Sequence, residues 1–423
     1  MESFFQKLSV IAHDASLRRR IFYIFFILLL FRVGANIPVP GVDIFRLQEF
    51  FANNQFLGLL NVFSGGGLSN LSIVMLGLGP YITGSIIMQL ITIMSPKLKA
   101  MYHEEGELGK KKFNQYSRLL TVPLALLQGF GLLTLLERQG VLTYTNFFDK
   151  SLDIVVVVAG AVLLMWMGEL LTEYGIGNGV SLLIFAGIVA QLPTTISQLA
   201  FTFDVSQIPM YLGFIAVAVL IIAGVVFITE SERPIPVTYA KRIRGNKVYG
   251  GVSTYLPLRV NQAGVIPIIF ALSILLFPQM IANFLANVTN PIVQTISSVV
   301  LSILQNPWIY ASLYFILVFL FTYFYTAITF DPETMATNLQ KNGAFIPGVR
   351  PGHMTSEYVG NILNRITFVG ALFLGIIAVL PLIMQGLTGV SSFAIGGTAL
   401  LIVVSVVLDL VKKIDAQIAM REY

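Results

Sequence analysis

The sequence contains no cysteine. Disulfides, thiolate metal ligands and cysteine nucleophiles are excluded together. Histidine is nearly as scarce. His13, His103 and His353 stand singly, and none lies inside an apolar run. A zinc protease of the HExxH type needs paired histidines with a glutamate between them, so that chemistry is absent. A serine–histidine pair at membrane depth fails for the same reason. An intramembrane aspartyl site needs two aspartates within apolar segments. Asp153, Asp331 and Asp409 lie only at the ends of such segments. Charge as a whole is sparse: 11% of 423 residues, against about 25% in soluble domains. Hydrophobic residues make up 56%, and the mean hydropathy is +0.81. A chain of this composition cannot hide its apolar surface in a water-soluble core. It reads as a polytopic membrane protein. Its start, MESFFQKLSVIAHDASLRRR, lacks the apolar core of a cleaved leader.

A helix needs about 20 mostly apolar residues to cross the hydrocarbon core. Ten segments qualify: 18–38, 71–94, 113–137, 152–171, 178–200, 208–229, 263–286, 307–330, 366–387 and 393–411. Threaded through these spans, 22 of the 26 Lys and Arg fall on one side. Arg46, Arg138 and Lys150 fall on the other. The positive-inside rule then puts both termini in the cytoplasm. The same bias accounts for the net charge of +5 without nucleic acid. Arg32 lies within the first span. A central arginine costs about 2.5–3.5 kcal/mol on insertion scales. It sits near the outer end of its span and is read as snorkelling to the interface.

Ten spans with both ends inside divide into halves of five, 1–203 and 204–423, the second inverted relative to the first. Inverted halves are common in transport folds. Proton- or sodium-coupled transporters carry Asp, Glu or His inside the bundle. The middles of spans 2, 5, 7, 8 and 9 carry none. A small-solute secondary transporter or facilitator stays open as an alternative.

Two connections are long, 230–262 and 331–365. Each exceeds the roughly 12–15 residues of an unstructured connector. In the first, Gly245–Asn246 between apolar and basic residues predicts a hairpin turn. In the second, the pattern predicts a short helix ending at Gly343, then tight turns at Pro347–Gly348 and Pro351–Gly352. Together they make a basic platform suited to a large partner.

Two further features invite explanation. Leu78 and Ile82, and Val180 and Ile184, are pairs four apart in LGLGPYITG and GNGVSLLIF. Each pair shares a helix face, which by spacing alone describes ordinary core contacts. FSGGGLSNLS at 63–72 sets three glycines at the mouth of an apolar run. It lacks the Lys–Ser/Thr of a phosphate loop.

The stretches FRVGANIPVPG, FSGGGLSNLSIVMLGLGPYITGSIIMQL, GELGKKKFNQYSR, MWMGELLTEYGIGNGVSLLIFAGIV, STYLPLRVNQAGVIPIIFA, NLQKNGAFIPGVRPG and GGTALLIVVSVVLD run in order from span 1 to span 10. Together they resemble the SecY family of protein-conducting channels over nearly the whole chain. Tyr174, where many members have a basic residue or histidine, and Gly84, which replaces a common alanine, depart locally from that pattern. The resemblance implies an all-α polytopic fold: ten transmembrane helices in two inverted halves around an hourglass pore for unfolded polypeptide. It implies a constriction ring of Leu78, Ile82, Val180, Ile184, Ile269 and Ile402. It implies a short plug helix at about 56–67, with Leu57, Leu60, Val62, Phe63, Gly65, Gly66 and Gly67, the glycines serving as its hinge. It implies a lateral gate, where spans 2 and 3 meet 7 and 8, lined by Gln89 and Asn178, through which signal sequences and nascent helices enter lipid. Lys241, Arg242, Arg244 and Arg350 match the surface that docks the ribosome or the SecA motor. SecE, and often SecG, are the implied subunits, in the bacterial inner membrane. No catalytic residue, metal or cofactor is implied.

Overall fold

The computed structural model describes residues 14–42, 47, 61, 64–103, 105–138, 140–144, 146–193, 197, 208–239, 242–244, 247–249, 253–264, 266–285, 290–388 and 392–419. Thirteen α-helices and five short strands are present among them. In chain order the first helices are α1 (Ala15–Gly34), α2 (Gly79–Met94), α3 (Pro96–His103), α4 (Gly106–Arg138), α5 (Phe147–Tyr174), α6 (Gly179–Val189) and α7 (Ile208–Glu230). Strands β1 (Glu232–Tyr239), β2 (Arg242–Arg244), β3 (Lys247–Tyr249) and β4 (Ser253–Arg259) follow. Then come α8 (Ile266–Leu285), α9 (Pro291–Gln305), α10 (Pro307–Thr329), α11 (Pro332–Lys341), β5 (Ala344–Phe345), α12 (His353–Thr388) and α13 (Ser392–Ala419). Ten of the helices fall in the ten expected segments. Among the described residues, five helices are by themselves long and apolar enough to cross a membrane.

Side-chain caps set many of the helix starts. Asp14 accepts from the backbone N–H of Ser16 and Leu17, at 2.8 and 3.2 Å, and opens α1. Asn290, Asn306 and Asp331 each cap a helix whose first residue is proline. The cap satisfies an orphan N–H, and the proline loses none that the helix would use. Large apolar side chains stand exposed on the outer helix surfaces, among them Phe22, Phe25, Val155, Trp166, Leu220, Phe227, Ile316 and Leu320. In water such a surface would aggregate; in lipid it is solvated.

The helices sort into two sets by contact. α1, α2, α4, α5 and α6 pack on one another, as do α7, α8, α10, α12 and α13. The strongest contacts between the sets run along two seams: α13 against α6, and α8 against α2 and α4.

Three elements differ from expectation. The second span does not begin at 71. Residues 64–78 are a chain of turns, and α2 starts at Gly79 with Pro80 in its first turn. Its 16 residues reach only about 24 Å. Irregular backbone survives at that depth because it is buried and hydrogen-bonded. Val39 N–H donates to Leu71 O at 2.8 Å and Ile73 N–H to Ile37 O at 3.0 Å. Second, the connection 331–365 is short: α12 begins at His353, before the expected 366. Third, α9 lies between spans 7 and 8 where no element was expected.

The flanking strands of the hairpin and the short helix are present, while the expected turn residues Gly245–Asn246 lie outside the described residues. β2 and β3 pair antiparallel with Arg244 opposite Lys247, and α11 ends two residues before Gly343. The two long connections also join, because β1 lies between β4 and β5 in one sheet. Thr238 pairs with Phe345. The sheet has its own core of Ile235, Val237, Leu258, Ile346, Val359 and Leu363.

α9 is amphipathic. Ile292, Ile296, Val299 and Ile303 form an exposed stripe, while Ser297 and Leu304 are buried. It has no charged residue and packs on α8 and α10. An exposed apolar stripe of this kind is expected to meet lipid at the headgroup–acyl boundary. With Trp166 and Trp308 replaced by phenylalanine, a tryptophan at Val299 should be quenched by brominated acyl chains in proteoliposomes. An unquenched signal would mean that protein, not lipid, covers the stripe.

Candidate functional site

Five of the six expected ring positions, Leu78, Ile82, Ile184, Ile269 and Ile402, are buried in one contiguous apolar cluster, and Val180 packs against it. Each is held near a helix start or within a packed helix. Leu78 is the N-cap of α2, not a residue inside it, and its carbonyl accepts from Ile82 N–H at 3.0 Å. Val180 and Ile184 occupy successive turns of α6. That helix is started by Asn178, whose side-chain oxygen accepts from Val180 and Ser181 N–H at 3.0 and 3.2 Å. Ile269 is in the first turn of α8, and Ile402 lies in α13. The six therefore come from four helices and from both sets.

A cavity of about 550 Å³ opens on three of these helices, α6, α8 and α13, from the sheet side. Its walls include Asn178 and Ser181 of α6, Ile266 of α8, and Val406, Asp409, Lys412 and Lys413 of α13, with Arg259 at the end of β4. Ser181 is adjacent to Val180, Ile266 precedes Ile269 by one turn, and Val406 follows Ile402 by one turn. Ile184, Ile269 and Ile402 thus lie roughly 4–6 Å further along the same helices, and Val180 sits between Asn178 and Ser181. A cavity with charged side chains in its wall thus adjoins a buried aliphatic cluster. Ion pairs fix the cavity wall: Lys413 to Asp409 at 2.6 Å within α13, and Lys412 to Glu230 of α7 at 2.9 Å.

The glycine segment adjoins that cluster. Gly65, Gly66 and Gly67 are buried. Gly65 and Gly66 have φ of +67° and +84°, the left-handed region that glycine alone enters without strain. Gly67 N–H donates to Ser64 O at 3.2 Å, Ser72 N–H to Gly67 O at 2.7 Å, and Leu68 N–H to Ser64 Oγ at 2.9 Å. This is a fitted, hydrogen-bonded turn. Leu57, Leu60, Val62 and Phe63 lie outside the described residues.

Two residues that sequence reasoning missed contact this turn. Arg32 does not only snorkel. Its Nη1 donates to Gly65 O at 3.1 Å. Gln191 Nε2 donates to Asn61 O at 3.3 Å. The available signal was an arginine in an apolar span with no carboxylate within a helical turn.

The other expected positions are dispersed. Gln89 is on α2, which packs on α8; its Nε2 donates to Ser85 Oγ at 3.4 Å, and its buried Oε1 has no partner among the described residues. Asn178 is not at that seam. It is an exposed helix cap on α6, whose neighbours are α1, α5 and α13. Arg242 and Arg244 fall on β2, Arg350 is exposed after β5, and Lys241 lies outside the described residues. At Gly84 a Cβ would meet Ser117 O at 3.2 Å, so α2 and α4 approach more closely than alanine comfortably allows. Tyr174 packs edge-to-face on Tyr23 of α1 with ring centres 5.8 Å apart.

The SecY family profile matches residues 72–411. The chain belongs to the SecY family. It is 44% identical over 432 residues to the protein translocase subunit SecY of Corynebacterium glutamicum, covering 97% of each chain. It is 42% identical to that of Mycobacterium tuberculosis and 41% identical to that of Streptomyces coelicolor, covering 96% of each chain in both cases. Among solved structures, one of a protein-conducting channel aligns with a TM-score of 0.63 at 18% identity, over 93% of this chain and 90% of that one. A SecY structure, described by a plug domain that stabilises the closed state and maintains a membrane seal, aligns with a TM-score of 0.62 at 19% identity and the same coverage. Sec61 in a canine ribosome–channel complex gives 0.60 at 17% identity, also with that coverage. These neighbours share the ten-helix all-α fold of SecY-family channels.

Proposed function

We propose that the chain is the passive pore of a bacterial protein translocase. It passes unfolded polypeptide across the plasma membrane and releases apolar helices sideways into lipid. One observation carries this reading: aliphatic side chains from four helices of both sets meet in one buried cluster, beside a charge-lined cavity on three of those helices. Leu78, Ile82, Val180, Ile184, Ile269 and Ile402 form the ring. Aliphatic collars of this kind exclude ions by dewetting yet yield around a passing chain. The glycine turn and the apolar stretch before it form the plug. The α2, α4 and α8 seam is the lateral gate, with Gln89 at its polar margin. The two inverted halves move against each other across the seams.

The basic loops face the cytoplasm, with both termini. Lys241, Arg242, Arg244 and Arg350 meet the ribosome or the SecA motor, whose phosphates or carboxylates suit cationic loops. SecE and SecG complete the complex. Energy comes from the motor or from chain synthesis, and this chain performs no catalytic step.

Because the protein has no cysteine, single introduced cysteines report cleanly. Cysteines at Ile82, Val180 and Ile402 should each crosslink to a secretory precursor stalled in transit, while one at lipid-facing Leu320 should not. Failure at all three, with export intact, would overturn the pore assignment in favour of a path elsewhere.

A further inference from the structure

Arg32 pairs with no carboxylate among the described residues; its partner is the main-chain carbonyl of Gly65, 33 residues away. Its neighbour Phe31 touches the same glycine, because a Cβ at Gly65 would overlap the Phe31 ring. From the other side α6 does the same with two residues. Gly187 lies so close to Gly65 that a Cβ at 187 would overlap the Gly65 backbone. One turn further, Gln191 donates to Asn61 O at 3.3 Å. A Cβ at Gly66 would lie 3.3 Å from Gln191 Nε2 and 3.5 Å from Arg32 Nη1. The turn is gripped from two helices, and each supplies one close steric contact and one hydrogen-bond donor.

Val180, Ile184 and Gly187 are spaced by four and three on one face of α6, and Gln191 follows in the turn just past its end. The ring positions of α6 and its close contact with the glycine turn therefore share one face of one helix. A displacement of α6 that widens the ring also withdraws Gly187 and Gln191 from the turn.

We propose that Arg32 and Gln191 form a polar clasp that holds the glycine turn against α1 and α6. The clasp opens when α6 moves away from α1. This rests on the plug reading above. A carbonyl suits a reversible partner. Released into water, it is solvated again and leaves no unpaired carboxylate behind, whereas breaking a buried ion pair would. On release the Arg32 guanidinium must be solvated again, but no carboxylate is stranded with it.

The test uses the purified channel complex in planar bilayers, read as resting ion conductance. Four channels are compared with the parent: Arg32→Gln, Arg32→Lys, Gln191→Leu and a deletion of 57–65. A hydrogen bond from a charged donor is worth about ten-fold in an equilibrium or more, so Arg32→Gln should raise resting conductance on the order of ten-fold. Arg32→Lys keeps one charged donor and should fall between Arg32→Gln and the parent. Gln191→Leu should raise conductance less than Arg32→Gln. In the deletion background, where Gly65 is gone, Arg32→Gln should add nothing. A leaky deletion with silent Arg32→Gln and Gln191→Leu would overturn the clasp and leave the plug standing. Silence of all the variants, the deletion included, would overturn the plug itself. Leakage from Arg32→Gln that adds fully to the deletion would show Arg32 acting elsewhere and would also overturn the clasp. If Arg32→Gln does not accumulate, Gln191→Leu and its epistasis with the deletion decide the question.

Discussion

Replacing Ile184 and Ile402 together with asparagine should make the resting channel leak ions, with conductance at least about ten-fold above the parent. The two side chains are 2% and 1% exposed within the same apolar cluster. They come from α6 and α13, the helices that meet along one of the two seams. A dry ring excludes ions because water does not wet it. An amide placed there without a partner costs about 1–3 kcal/mol, and water entry removes that cost. Two amides shift the balance between dry and wet states by about 2–6 kcal/mol, or more than a factor of ten. Conductance of the purified complex in planar bilayers measures this directly. Val318→Asn is the matched control, because Val318 is buried in the same cluster but lies on α10 away from the cavity. It should reduce membrane accumulation without opening a leak. A double Ile184/Ile402 variant that inserts normally and conducts no better than the parent would remove both residues from the ring.

The ring shows how far the sequence could be read. Val180 and Ile184 stand four apart, and that spacing predicts a shared face but not what the face meets. Their facing partners Ile269 and Ile402 come from the other half of the chain, and no local period connects them. Spans were legible because crossing lipid demands about 20 apolar residues in a row. The start of α2 was not, because hydropathy registers Leu71, Val74 and Met75 whatever the backbone does. The break is written instead in Gly77 and Pro80, which lie inside the apolar run. α9 was missed for the opposite reason. Its serines, threonine and glutamine dilute the apolar signal below that of a span. The proline after Asn290 still marks its start, as it does for α10. Asn178 was expected at the lateral gate; it caps α6, a role for which asparagine is among the preferred types, and lines the cavity. Arg32 was read against its own helix, where no partner exists; its acceptor comes from a turn 33 residues away.

Arg350→Glu should lower motor-driven export by about ten-fold or more while leaving the protein folded and inserted. The expectation depends on how Arg350 is held. It follows β5, which is tied by Thr238 and Tyr239 to the connection between α7 and α8. Its carbonyl accepts from Thr355 Oγ1 at 3.0 Å, at the first turn of α12. Ile346 and Val349 beside it pack into the sheet core with Val359 and Leu363. The backbone is therefore rigid while the side chain is exposed. An exposed charge reversal away from caps and cores changes stability by about 0.5 kcal/mol at most. Across an electrostatic interface, like charges placed together cost several kcal/mol, enough for the expected fall. ATP-driven translocation of a precursor into inverted vesicles gives the rate, and accumulation with helix content gives the folding control. The defect should be largest at low salt, where exposed charges are least screened. Export unchanged at low salt would take Arg350 out of the docking surface. Lost accumulation would instead show that the β5–α12 corner depends on the arginine for its fold, and Arg350→Gln, neutral and similar in length, would separate the two roles.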